Sequence, residues 1–169
     1  MKIESMEDLF LEQVEDLYDA EKRLVKALPK MAEATTSITL RQAIQSHLME
    51  TEGHVSRLEN VFRILGKDPK AQTCDAMKGL ISEGEDVISD IDESPLRDAG
   101  IIAAANRVEH YEIAGYGSAR TFAQILGLTE AASLLEQTLQ EEKKADQKLT
   151  QLAESMVNEE ALRNPVSQR

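Results

Sequence analysis

The 169-residue sequence contains no tryptophan, one cysteine, eight glycines and four prolines. The single Cys74 excludes a disulfide within the chain and any metal site built from several thiolates. The amino-terminal residues are too acidic for a secretory signal peptide, and no apolar run approaches the roughly 20 residues that span a bilayer. We therefore expect one cytoplasmic domain with no membrane partner.

Basic residues are also few, since 19 lysines and arginines stand against 31 aspartates and glutamates, which gives a net charge of −12. Binding to a nucleic-acid backbone requires lysine and arginine side chains that face phosphate. An acidic surface instead suits the attraction of cations. We therefore expect no nucleic-acid partner.

Apolar residues recur at alternating steps of three and four along most of the chain, which is the spacing of amphipathic helices. Four long helices are predicted, over residues 6–31, 39–66, 95–126 and 130–156. Short turns pair them into two antiparallel hairpins, and a long crossover with a short helix, residues 67–94, joins the hairpins. This pattern predicts an all-α, ferritin-like antiparallel four-helix bundle over residues 1–157, followed by a flexible tail over residues 158–169.

Acidic residues interrupt the apolar face of each long helix near its middle. A single inward glutamate commonly reaches solvent at a helix edge, but recurrence in four helices calls for a shared cause. Few basic residues face inward to pair with these acids, and two divalent cations would neutralise them. The candidate metal ligands are Glu21, Glu50, His54, Glu109, Glu112, Glu142 and Asp146.

Carboxylates with one imidazole and no thiolate suit iron or manganese, with zinc as a common substitute. We therefore expect two such ions at this site, and the family resemblance described below favours iron. His47 and His110 are interpreted as surface or packing residues, and Cys74 as having no role. Tyr18 and Tyr116 lie one turn from candidate ligands, so each is either a hydrogen-bond donor to a ligand or an ordinary core residue.

Four segments carry a family resemblance: LYDAEKRLVKAL, HLMETEGHVSRLE, AANRVEHYEIAGYGS and LLEQTLQEEKKADQKL. They resemble the YciE/YciF family of ferritin-like bacterial stress proteins, over residues 5–156. The resemblance implies a four-helix bundle, usually a homodimer, with a di-iron centre and a link to stress responses. It leaves the biochemical activity open.

The histidine spacing departs from that of the wider ferritin-like superfamily, whose sites place a histidine three residues after a glutamate. Here His54 follows Glu50 by four residues, and Asp146 follows Glu142 by four. Both offsets reach the same helix face. Direct ligation by His54 and Asp146 therefore stays open.

Three functions follow from these features. The first is oxidation of Fe(II) by O2 or H2O2. The Glu109 and Glu112 pair resembles the extra-carboxylate arrangement of rubrerythrins, and this resemblance favours peroxide or oxygen chemistry over iron storage. The second is a non-catalytic dimeric bundle with a structural ion or no ion. The third is a manganese catalase-like enzyme, which would use the same ligands.

Overall fold

The computed structural model of the protein describes residues 2–164, which are helical over most of their length. The helices are α1 (Met6–Ala34), α2 (Ile38–Ile64), α3 (Asp75–Asp90), α4 (Pro95–Ile125), α5 (Thr129–Leu152) and, after a π-helical turn at Ala153–Val157, α6 (Asn158–Arg163). Helix α1 packs on α2 and α4 packs on α5, while α3 of the crossover covers α4 and α1. The prediction of two hairpins joined by a long crossover is confirmed.

The helix ends follow local chemistry that the sequence already shows. The hydroxyl of Ser5 accepts a hydrogen bond from the backbone N–H of Asp8 at 3.0 Å, which caps the start of α1. Gly66 and Gly127 adopt φ angles of 65° and 72° just after α2 and α4. Glycine reaches this left-handed conformation without steric cost, and both helices therefore end there.

A buried carboxylate fixes the first hairpin against α4. Asp98 accepts hydrogen bonds from the backbone N–H groups of Thr36 and Ser37 at 2.9 and 2.8 Å, and from the Thr36 hydroxyl. These donors belong to the turn between α1 and α2 and to the first residues before α2. Asp98 thus ties the start of the second hairpin to the turn of the first.

Cys74 has a structural role that the sequence did not indicate. Its Sγ accepts a hydrogen bond from the backbone N–H of Met77 at 3.4 Å, which caps α3. Its own backbone N–H donates to Asp19 Oδ2 at 2.8 Å, and Tyr111 Oη lies 3.0 Å from Sγ. Burial raises the pKa of the thiol. Cys74 therefore anchors the crossover to α1 and α4.

The apolar core is divided into two clusters along the bundle. One contains Phe10, Val14, Leu58, Phe62 and Leu135, and the other contains Leu24, Leu28, Ile44, Ile101 and Leu149. The middle turns of the four long helices lie between these two clusters. The interrupting acids of the sequence lie on those turns, so the fold places them between two water-excluding regions.

The carboxyl-terminal segment differs from the expected flexible tail that begins at Asn158. The chain remains helical to Arg163, and Val157 and Ala161 are buried where this segment packs on α4. Residues 165–169 of the expected tail lie outside the described residues. Among residues 2–164, no helix combines the length and apolar character needed to cross a membrane.

Two glycines of α4 offer a matched test of how closely α1 and α4 pack. A Cβ at Gly115 would lie 2.8 Å from Leu17 Cδ2, whereas a Cβ at Gly117 meets nothing within 4 Å. Alanine favours a helix over glycine by about 1 kcal/mol, so Gly117→Ala is expected to stabilise the protein by roughly that amount. Gly115→Ala is expected to be about 1–3 kcal/mol less stable than Gly117→Ala because of overpacking. Urea unfolding of both variants tests this, and equal free energies of unfolding would contradict the close approach of the two helices.

Candidate metal centre

Six buried side chains from the four long helices meet between the two apolar clusters. They are Glu21 of α1, His47 and His54 of α2, Glu109 and Glu112 of α4, and Glu142 of α5. Two groups form within this set: His47 with Glu109, Glu112 and Glu142, and Glu21 with His54 and Glu142. In each group, one nitrogen or oxygen atom per residue lies within 4.8 Å of the others. Glu142 belongs to both groups.

His54 lies at the centre of the second group, and each of its ring nitrogens lies close to a carboxylate. Its Nδ1 is 2.9 Å from Glu142 Oε1 and 3.3 Å from Glu21 Oε1. Its Nε2 is 2.9 Å from Glu141 Oε2, a carboxylate that Arg57 also binds. Nδ1 has no hydrogen bond of acceptable geometry despite these short distances. One nitrogen thus faces the cluster while an outer carboxylate holds the other.

His47 repeats this arrangement in the first group. Its Nε2 faces Glu109 Oε1 at 3.2 Å and Glu142 Oε2 at 3.8 Å. Its Nδ1 lies 3.5 Å from Glu50 Oε2, which is long for a hydrogen bond. In metal sites, a carboxylate on the outer nitrogen of a histidine fixes the ring and its tautomer. Here Glu50 lies beside the outer nitrogen of His47, and Glu141 lies beside the outer nitrogen of His54.

Burial and like charge shift the acid–base equilibria of the cluster. Burial raises the pKa of Glu112, and the carboxylates of Glu21 and Glu142 raise it further. Burial and Glu142 raise the pKa of Glu109, although His47 acts in the opposite direction. Burial disfavours the charged form of His54, but its neighbouring carboxylates outweigh this and raise its pKa to about 11. Glu112, Glu109 and His54 therefore each hold a proton more tightly than the isolated side chain does.

The cluster fits a pair of divalent ions by two criteria. First, it leaves many buried polar atoms without a hydrogen-bond partner: Glu21 Oε2, both ring nitrogens of His47, His54 Nδ1, Glu109 Oε2, and both carboxylate oxygens of Glu112 and of Glu142. Buried polar atoms in native proteins are almost always partnered, so this concentration is what a group of side chains able to hold a metal ion would show. Second, two divalent ions supply about four positive charges, which would balance the four glutamates with neutral imidazoles.

Five of the seven sequence-predicted ligands lie in the cluster, and two do not. The Glu50 side chain is 47% exposed and directed at His47 rather than at the buried acids. Asp146 accepts a hydrogen bond from Asn106 Nδ2 at 2.9 Å and lies 3.3 Å from the exposed His110. The structure brings neither carboxylate into the two groups.

His47 is not a surface residue, because its ring is buried, and its Nε2 faces the cluster, so it joins the candidate ligands. His110 is exposed, as expected. The two tyrosines differ: Tyr116 donates a hydrogen bond to Glu21 Oε1, while Tyr18 donates to Glu59 and packs against Phe62. Tyr116 therefore supports a candidate ligand and Tyr18 is a core residue.

Four long helices around a buried cluster of carboxylates and imidazoles define a ferritin-like bundle with a candidate metal centre. The chain belongs to the family described as a domain of unknown function, DUF892, whose sequence pattern matches residues 5–162. It is 46% identical over 162 residues to Protein YciF of Escherichia coli K12, across 95% of this chain and 98% of YciF. The resemblance to the YciE/YciF family is thus confirmed.

Solved structures show the same fold. The crystal structure of the E. coli stress protein YciF matches with a TM-score of 0.88 and 46% identity, across 92% of this chain and 99% of YciF. YcfI of Rhodopseudomonas palustris, proposed to be a structural protein, matches with a TM-score of 0.86 and 43% identity, across 88% of this chain and 95% of YcfI. A Xanthomonas campestris protein of 19% identity shares the fold with a TM-score of 0.76, across 96% of this chain and all of its own.

Proposed function

We propose that this protein is a cytoplasmic stress protein that holds two iron ions at the buried cluster and oxidises Fe(II) with O2 or H2O2. One observation supports this above the others: four carboxylates and two imidazoles meet inside the bundle with most of their inner atoms unpartnered. Such an arrangement is costly unless cations occupy it. Membership of a family that includes a stress protein agrees with a protective role.

The ligand roles follow from the membership of the two groups. Glu21 with His54 would hold one ion, Glu109 and Glu112 with His47 would hold the other, and Glu142 would serve both. When bound, two Fe(II) ions supply one electron each, and H2O2 takes up two electrons and two protons to form two waters. Manganese or zinc suits the same oxygen and nitrogen atoms, so metal content must be measured and not assumed.

The protein residues would control what reaches the ions. The two apolar clusters above and below the site exclude bulk water, which strengthens electrostatic interactions inside it. Tyr116 donates a hydrogen bond to Glu21, which holds that carboxylate in one orientation. The acidic surface, with a net charge of −12, would raise the local concentration of Fe²⁺.

The test is anaerobic loading with Fe²⁺, followed by exposure to O2 or H2O2 and measurement of iron content, absorbance and peroxide loss. We expect two irons per chain and consumption of about one H2O2 for each pair of Fe(II) ions, as the electron balance requires. Glu142→Gln, which removes the shared carboxylate, is expected to prevent loading of the pair. Asp146→Asn is the matched control on the same helix, because Asp146 lies outside both groups. A wild-type protein that binds no metal would overturn the proposal.

A structural role without catalysis is the second candidate, and the description of the R. palustris relative as a proposed structural protein favours it. In that case the cluster would bind an ion such as zinc tightly without oxidising Fe(II) or consuming H2O2. A homodimer is expected under either function, and sedimentation equilibrium measures it. Metal binding without peroxide consumption would select this second candidate.

A further inference from the structure

A cavity of about 90 Å³ opens beside the candidate metal centre. Its inner end reaches the buried His47 and Glu109, and apolar side chains that include Leu28, Ile44 and Leu149 form its walls. The proposed oxidation of Fe(II) needs room for only O2 or H2O2. A water molecule occupies about 30 Å³ in the liquid, so this cavity holds about three waters or a small organic group.

The outer end of the cavity carries an unusual charge for this protein. Lys144 and Lys148 line it from α5, one turn apart, and both are exposed. Neither forms a salt bridge within 4.0 Å to any residue that the structure describes. Glu50 also lines the cavity, but its carboxylate is directed toward His47 at 3.5 Å. These two ammonium groups make the opening of the cavity locally positive, although the whole chain has a net charge of −12.

We propose that this cavity binds a short-chain aliphatic carboxylate, with its tail among the apolar walls and its carboxylate between Lys144 and Lys148. The enclosed volume fits an unbranched tail of about three to five carbons, since an apolar cavity of about 150 Å³ holds benzene. The ligand thus has about four to six carbons in all. This goes beyond the proposed function, which requires no organic ligand.

Charge and polarity disfavour other occupants. The two lysines repel an alkylammonium ion, and an inorganic anion would leave the apolar walls without contacts. The reverse orientation would bury the ligand carboxylate away from both ammonium groups and leave the alkyl tail at the exposed lysine end. Removing the charge from its partners and exposing the apolar tail to water both cost free energy. The carboxylate therefore belongs at the lysine end.

The test is an NMR titration of the full-length protein, both zinc-loaded and metal-free, with acetate, butanoate, hexanoate and hexylamine. The methyl resonances of Leu28, Ile44 and Leu149 report occupancy of the cavity. We expect affinity to rise by about fourfold for each methylene that enters the cavity. Hexylamine is expected to cause no saturable shift. A carboxylate series without saturable shifts at these methyl groups would overturn the proposal.

Lysine variants test the orientation. The double variant Lys144→Gln and Lys148→Gln is expected to bind hexanoate roughly fivefold to thirtyfold more weakly, since it removes two exposed ion pairs. The matched control replaces Lys22 and Lys26, exposed lysines one turn apart on α1, and is expected to bind like wild type. Equal affinity in all three proteins would refute the lysine-bound carboxylate. Because binding is followed without Fe(II) or oxidant, its loss is distinguishable from failure of the proposed oxidation.

Discussion

Glu112→Met is expected to stabilise the metal-free protein and to remove most of the stabilisation that metal ions give to the wild type. Glu112 is fully buried, and neither of its carboxylate oxygens has a hydrogen-bond partner. Burial and the neighbouring carboxylates raise its pKa, so the metal-free protein must hold it protonated or carry unbalanced charge. Methionine has similar volume and needs no partner. We expect the metal-free variant to gain about 1–3 kcal/mol in free energy of unfolding.

Metal binding is expected to reverse which protein, wild type or Glu112→Met, has the larger free energy of unfolding. An ion at about a thousandfold above its dissociation constant adds roughly 4 kcal/mol to the free energy of unfolding. In the variant, the group around His47 keeps only Glu109 and Glu142 as carboxylates, so we expect the gain to fall below about 2 kcal/mol. Urea unfolding of chelator-treated and zinc-loaded protein measures both quantities. The wild type is expected to be the less stable protein without metal and the more stable one with it.

Glu15→Met is the matched control for this sign reversal. Glu15 on α1 is also buried with an unpartnered carboxylate oxygen, but it belongs to neither group of candidate ligands. Its replacement is expected to leave the stabilisation by zinc unchanged. The di-metal interpretation of Glu112 would be rejected if Glu112→Met kept the full zinc effect, or if both variants lost it equally.

The acids of the site could be predicted because each one interrupts an apolar pattern that is visible within its own helix. Glu21 stands between Leu17 and Leu24, and Glu142 stands in the corresponding row of α5. The helix period fixes which side of a helix a residue lies on, and burial of that side then follows from the bundle. The same reasoning explains why the four-helix fold was predictable from spacing.

The spacing of α2 also places His47 on the inward side of that helix. Ile44, His47, Thr51, His54 and Leu58 follow one another at steps of three, four, three and four, which is the inward stripe of α2. A search for a glutamate followed by a histidine one turn later finds Glu50 with His54, and this pattern does not include His47. In carboxylate-bridged di-metal bundles, each histidine follows a glutamate on its own helix. Here both histidines come from α2, and α4 contributes two glutamates. The residue types are therefore the same, but the helices that carry them differ.

Other features depend on contacts between helices, which no pattern within a single helix reveals. Asp98 is buried only because the turn of the first hairpin reaches it with three donors. The helix continues past Asn158 because Val157 and Ala161 find an apolar surface on α4. Glu141 looks like an ordinary surface acid in the sequence, yet it meets His54 across the bundle.

Glu141→Gln is expected to weaken metal affinity by about 10- to 100-fold without removing any direct ligand. Glu141 Oε2 lies 2.9 Å from His54 Nε2, and Arg57 holds the same carboxylate through contacts of 2.8 and 3.2 Å. Burial opposes ionisation of Glu141, but Arg57 and His54 outweigh it and hold its pKa below its ordinary value. An ionised Glu141 keeps the proton of a neutral His54 on Nε2, which leaves the lone pair of Nδ1 directed at the metal centre.

Glutamine at position 141 can still accept one hydrogen bond, but it loses the charge that fixes the tautomer and makes Nδ1 a stronger donor to the ion. Glu136→Gln is the matched control, because Glu136 lies on the same helix and pairs with Arg120 at 2.6 Å without contacting a histidine. Competition titration of zinc against a chromophoric chelator measures both affinities. If Glu141 acts through His54, Glu141→Gln weakens zinc binding and Glu136→Gln does not. An equal loss of affinity in both variants would mean that the loss comes from removing a negative charge from α5. In that case Glu141 would not orient His54.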